Sequence, residues 1–226
     1  MRYILDNPAW NALNTGNRHF AVGAEKAKHF MKTVSRYAGM LTNSANNLDQ
    51  LYESHNPGET IAVFSTSPLS AKNPFKEVNR IRVVQMLFEA PVPAPVEDVN
   101  LIKLTDEHIP AMLELTRLTQ PGPFLSRTID FGNYYGIFEG ETLIAMAGQR
   151  LKPYPYTEIS AVCCHPEHIG KGYASRLIKH QARLIREARS FAFLHVAKGN
   201  TKAIALYDKL GFNKRRDLDI TILGKE

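Results

Sequence analysis

The stretch HPEHIGKGYASRL, residues 165–177, decides the fold. Pro166 ends the strand before it, because proline has no amide to give to a sheet ladder. Gly170 and Gly172 then let the backbone approach a ligand where a Cβ would intrude. From about Lys171 to Arg189 the pattern is helical, with Ala174, Leu177, Ile178, Ile185 and Ala188 on one face and Gln181 interrupting the stripe. The free amides and the dipole at the start of such a helix form an anion site. A pyrophosphate is its natural occupant, and Lys171 adds charge there. By itself the turn serves equally well as a ligand-free connection from strand to helix. It has no third glycine in register and no acidic residue at the next strand end, so it is not a dinucleotide fingerprint.

Working outward, residues 157–164 read as a strand before the turn, and residues 191–197 (FAFLHVA) as a strand after the helix. The second is apolar on both faces, as a buried parallel strand is. Strand, helix and strand make a βαβ unit. Glu158 is an acidic residue in an otherwise apolar strand and shares a face with Ser160, Val162 and Cys164. Facing a cleft, it would be a candidate general base. His195, inside the second strand, reads as a satisfied core histidine. Further on, GNTKAIALYDKLGF (residues 199–212) is a short helix opened by Asn200 and stopped by Gly211. Asn200, Ala203 and Tyr207 share one of its faces, an amide at one end and a phenol two turns away.

The two segments together, HPEHIGKGYASRL and N-x-x-A-x-x-L-Y-x-K-L-G-F, resemble the GNAT superfamily of N-acetyltransferases, over roughly residues 99–224. The similarity is greatest to its bacterial-type branch with an extra N-terminal domain. That resemblance implies an α/β fold, with a mixed central sheet flanked by helices, and acetyl-CoA as co-substrate. The backbone of Ile169, Gly170, Lys171, Gly172, Tyr173 and Ala174 is expected to hold the pyrophosphate of coenzyme A. The strand around Val162 and Cys164 should pair with the pantetheine arm, and Asn200 should bond that arm from the other side. Tyr207 matches the tyrosine that protonates the departing thiolate. A glutamate on the strand of Glu158 often serves as base in related enzymes. Ile169 departs from the pattern, since Gln or Arg is usual there; this removes a side-chain contact but no amide donor. The implied reaction is direct attack of an amine on acetyl-CoA in a ternary complex. A non-catalytic coenzyme A sensor would keep the amide turn and need neither Glu158 nor Tyr207.

The rest of the chain sets boundaries. It has 226 residues, 44% hydrophobic and 22% charged, as ordinary globular proteins do. No basic start followed by a sustained apolar run suggests a secretory signal, and no run suits a membrane span. The expectation is therefore a cytoplasmic protein with no membrane partner. The only two cysteines, Cys163 and Cys164, are adjacent and expected to be reduced. With His165 and His168 they look like a metal cluster, but adjacent strand residues face opposite ways and no second Cys/His pair completes a tetrahedron, so no metal is expected. The formal charge of +6 is spread along the chain without interleaved aromatics. It suits a polyanionic small molecule better than a nucleic acid.

The segment APVPAPVE (residues 90–97) alternates three prolines with small apolar residues and reads as an extended linker. It places a smaller α/β N-terminal domain of unassigned role at residues 1–97 and the acetyltransferase domain at residues 98–226. In the first half, helices are expected over residues 8–13 and around Leu48, Leu51, Tyr52 and His55, and strands over residues 60–65 and 81–88. Residues 19–31 read either as a hairpin turning at Gly23 or as a helix. In the second half a strand over residues 99–104, a helix after Thr105 and a hairpin turning at residues 139–142 follow. The acceptor is expected to be a small-molecule amine, with residues 121–127 lining its pocket, and a homodimer stays open.

Overall fold

The computed structural model of this chain describes residues 3–96 and 100–226. Eleven strands are recorded there, in chain order β1 (Ala21–Gly23), β2 (Ala27–Phe30), β3 (Tyr37–Met40), β4 (Thr60–Ser65), β5 (Lys76–Phe88), β6 (Ile102–Lys103), β7 (Tyr135–Glu139), β8 (Thr142–Gln149), β9 (Tyr156–Cys164), β10 (Phe191–Ala197) and β11 (Phe212–Gly224). Five α-helices join them: α1 (Pro8–Asn14), α2 (Ala45–Glu53), α3 (Ile109–Thr119), α4 (Tyr173–Glu187) and α5 (Thr201–Lys209). Residues 19–31 resolve as the hairpin of β1 and β2, with Gly23 at φ 121°.

All the strands form one mixed sheet, ordered β1-β2-β3-β4-β11-β5-β10-β9-β8-β7-β6. Only the β3–β4 and β9–β10 pairs are parallel. Alternation along β10 divides the core: Phe193 faces the layer of α1 and α3, whereas Ala192, Leu194 and Val196 face α4 and α5. Gln181, the polar break in the α4 stripe, is fully buried because it has bonding partners. Its Nε2 donates to the carbonyls of Asn133 and Ala147, and its Oε1 accepts from Gln149.

The division at residue 97 does not follow a physical break. Residue 97 itself and the strand start expected at Val99 lie outside the described residues, but the sheet on either side is continuous. β5, from the first half, lies between β11 and β10, pairing with β11 from Lys76 to Phe88 and with β10 from Val83 to Leu87. One core cluster unites Leu5, Leu13, Phe30 and Phe64 with Met112, Met146, Phe193 and Leu218. The N-terminal half is thus built into the sheet rather than set before it. The sequence pattern hid this because the first half of β5, from Lys76 to about Arg82, is exposed and charged, so only its buried half has an apolar signature.

β9 and β10 are the strands that matter for a site. They pair only at Tyr156–Phe191, Thr157–Ala192 and Phe193–Glu158. Beyond Glu158 they separate. The register of β9 on β8 shifts between Met146 and Gly148, and Ala161 takes φ 52°. Such a bulge bends its strand away from the neighbour. The two strands therefore splay into a wedge with Glu158 at its vertex.

Because β10 and β11 each take a partner from the first half, a fragment of residues 98–226 is expected to lack a cooperative fold. Circular dichroism and amide NMR dispersion of the fragment beside the full chain check this.

Candidate acetyl-donor cleft

The turn expected to hold an anion has the required backbone. Gly170 and Gly172 take φ 88° and 81°, in the left-handed region that L side chains rarely adopt. Gly172 is the N-cap of α4, which begins two residues later than the apolar pattern suggests because this residue cannot be helical. A Cβ on Gly172 would come within 2.5 Å of Arg176 Nη1, whereas one on Gly170 would meet open space. Arg176 donates to the Lys171 carbonyl at 2.9 Å and ties the turn to the first turn of the helix.

In front of this turn lies a cleft of about 630 Å³, in the wedge between β9 and β10. Val162 and Cys164 of β9, Ile169, Gly170, Gly172, Tyr173 and Ala174 of the turn, and Asn200 and Tyr207 of α5 all line it. The structure thus brings together the expected donor-side residues apart from Lys171, which turns aside with its Nζ 3.2 Å from His168 Nδ1. Ile169 is largely exposed at the rim. Asn200 uses its Oδ1 to cap α5, accepting from Ala203 N at 3.1 Å, a bond that does not engage its Nδ2. Tyr207 is nine-tenths buried, and burial pushes its phenol up to about 12. It therefore stays protonated at neutral pH, as a proton donor must. Thr119, Gln120 and Pro121 close the far side of the cleft, so of the 121–127 segment only Pro121 lines it. Arg127 instead pairs with Asp106 and Asp130.

Glu158 is not in the cleft wall, and its expected role as base is corrected by its surroundings. The residue is fully buried. Arg150 grips it with two hydrogen bonds, Nε to Oε2 at 2.9 Å and Nη2 to Oε1 at 2.7 Å. Leu151 N adds a third at 3.3 Å and His195 Nδ1 a fourth at 2.7 Å. Burial pushes the carboxyl up, but the charge and hydrogen bonds of Arg150, joined by those of His195, outweigh it and hold the group at about 2. A carboxylate so saturated neither reaches an amine nor holds its proton.

His195 is fixed in turn. Gln85 Oε1 accepts from Arg215 Nη1 at 2.6 Å, so its Nε2 is the donor to Leu5 O and to His195 Nε2, both at 2.9 Å. The ring proton therefore sits on Nδ1, directed at Glu158, and the Nε2 lone pair is taken by Gln85. Arg215 continues the chain to Asp6. The reading of His195 as a satisfied core residue holds, although it also borders the cleft.

Cys163 and Cys164 do face opposite ways. Cys163 belongs to the core on the α3 side, while the Cys164 thiol donates to the His168 carbonyl at 3.3 Å. Among the described residues, His165, Glu167 and His168 bring possible metal-ligand atoms within 4.8 Å of one another. Lys171 already occupies His168 Nδ1, which opposes a cation there. No helix of the described residues is long and apolar enough to cross a membrane.

Replacing Glu158 by Gln leaves a buried guanidinium without its counter-charge, and a loss of about 3–5 kcal/mol is expected in urea unfolding. The wild-type carboxyl is depressed from 4.5 to about 2, so its stabilisation is complete above about pH 4.5 and fades as pH falls toward 2. The Gln variant should lack that acid-dependent component.

Comparison with known proteins agrees with this geometry. A family model of FR47-like proteins matches residues 134–219. No curated protein sequence matches the chain. A protein of Novosphingobium aromaticivorans assigned to the GNAT acetyltransferase family superposes with a TM-score of 0.92 at 28% identity, with 100% of both chains covered. A GCN5-related N-acetyltransferase from Kribbella flavida has the same fold at a TM-score of 0.63 and 13% identity, covering 96% of this chain and 95% of its own. A GNAT-family acetyltransferase from Colwellia psychrerythraea reaches 0.55 at 12% identity, covering 88% of this chain and 80% of its own. The wedge, the amide turn and these relatives agree: the chain has the fold of the GNAT acetyltransferases, and its residues 134–219 are similar to the FR47-like family.

Proposed function

We propose that the protein transfers the acetyl group of acetyl-CoA to a small-molecule amine by direct attack within a ternary complex. The observation that carries this reading is the meeting, in one cleft, of the amide turn at the start of α4, the freed edge of β9 and the Tyr207 phenol. The pyrophosphate of coenzyme A would sit on the amides from Gly170 to Ala174. The pantetheine arm would run along β9 past Val162 and Cys164, opposite Asn200. That course brings the thioester to the vertex end of the wedge.

The nitrogen lone pair attacks the thioester carbon, and the carbonyl oxygen takes up negative charge. Backbone amides on the part of β9 that no longer pairs with β10 suit its stabilisation, because fixed dipoles need no reorganisation. The C–S bond then breaks and the sulfur takes the Tyr207 proton, which solvent restores. The Tyr207 hydroxyl suits this step through its position on the cleft-facing side of α5 and its raised pKa. A protein that only sensed coenzyme A would have no use for it.

Isothermal titration with acetyl-CoA should show micromolar-range binding that Gly172→Trp abolishes by filling the turn; no binding by a folded wild-type sample would end the proposal. Tyr207→Phe should bind acetyl-CoA as before and lower kcat by about 10–100-fold, below the usual range for a general acid because a thiolate is a tolerable leaving group.

A further inference from the structure

Among the described residues around the cleft, no side chain is free to take the proton that the amine must lose, and this bears on which amines react. The thioester end of the cleft is bordered from several elements. β9 supplies Cys163, β10 His195 and α5 Tyr207, and behind this wall lie Glu158 of β9 and Arg150, the residue after β8. Glu158 Oε1 and Oε2 each accept two hydrogen bonds. His195 Nε2 is held by Gln85, whose own orientation is fixed by Arg215 and Leu5. Behind these, Arg215 is neutralised by Asp6, and Tyr37 lies under the Arg150 guanidinium at 4.7 Å. Cys163 is buried, and burial pushes its thiol up to about 12, so it is already protonated, as is Tyr207. His168 and Lys171 belong to the pyrophosphate turn at the other end, beside Glu139.

Charge points the same way. Among the described residues, no carboxylate side chain lines the cleft. The neighbouring cavity of about 570 Å³, which shares Gln120 with it, has Arg117 as its one charged wall residue. An alkylammonium ion or a polyamine would enter without a counter-charge, and desolvating it would be costly.

Resting on the acetyltransferase reading, we infer that the acceptor reaches the thioester as a neutral amine, and that this cleft serves weakly basic small amines such as aryl amines, hydrazines and α-amino amides. The acceptor proton goes to solvent before attack. The second N–H proton leaves the tetrahedral adduct to water once the nitrogen is acylated. Glu158 and His195 are positioning residues that hold the vertex of the wedge in shape, and neither exchanges a proton with the substrate.

The test is the pH dependence of kcat/KM for the intact wild-type enzyme with acetyl-CoA and acceptors of matched size but different basicity. An α-amino amide near about 8 and an alkylamine near about 10.4 make a suitable pair. The break in the profile should follow the acceptor and move by about 2.4 pH units between the two. At pH 7 the neutral fraction is about tenfold below total for the first and about 2,500-fold below for the second. A break at one fixed pH with every acceptor would install a base in the protein and overturn the inference while leaving the acetyltransferase intact. Absence of turnover across the whole panel, with acetyl-CoA still bound, would instead remove the enzyme reading and this inference with it.

Discussion

The buried pair of Arg150 and Glu158 sits where β9 and β10 part, and the rest of the architecture is arranged around it. Up to Glu158 the two strands pair; past it they separate and the cleft opens. A fully buried carboxylate is tolerable only when its charge is matched and its lone pairs are filled. Arg150 matches the charge, and Leu151 N and His195 complete the filling. The same requirement passes outward through Gln85 and Arg215 to Asp6. One polar chain thus runs from Arg150, just after β8, through β9, β10, β5 and β11 and ends on the N-terminal segment. Apolar packing would fix the distance between these strands less strictly than a set of directional bonds does.

That chain explains why the first half of the molecule is not an appendage. Gln85 belongs to β5 and is fully buried, yet its partners come from the N-terminal segment, β10 and β11. Removing β5 would strip backbone pairing from two strands and take the Gln85 partner from the side chains of His195 and Arg215. The first half, for which the sequence suggested no role, completes the sheet that holds the wedge open.

Donor and acceptor sides of the cleft follow different physics. The donor side is a backbone device, in which two glycines at positive φ and the start of a fifteen-residue helix present amides to an anion. Ile169 in place of a polar side chain costs little in such a device, since the donors are not side chains. Among the described residues no carboxylate lines the opposite end, so the inferred selectivity rests on the neutrality of what enters.

The sequence alone determined the local geometry of the α4 turn and of α5. Gly170, Gly172, Asn200 and Tyr207 are local signals whose meaning depends on spacing within one turn or one helix, and they stand where that spacing put them. Most of the helices and the shorter strands were legible for the same reason, since β4 and β10 have uninterrupted apolar runs. The exposed half of β5 and the charge-rich β11 were not legible, because a long strand held by backbone bonds to its neighbour needs no apolar signature where it leaves the core. Nor was the state of Glu158. An acidic residue in an apolar strand signals only that something unusual compensates it. Whether that is a cleft, which would make it a base, or a buried arginine eight residues earlier and a histidine on the next strand, which makes it a strut, depends on contacts across the sheet that tertiary structure alone creates.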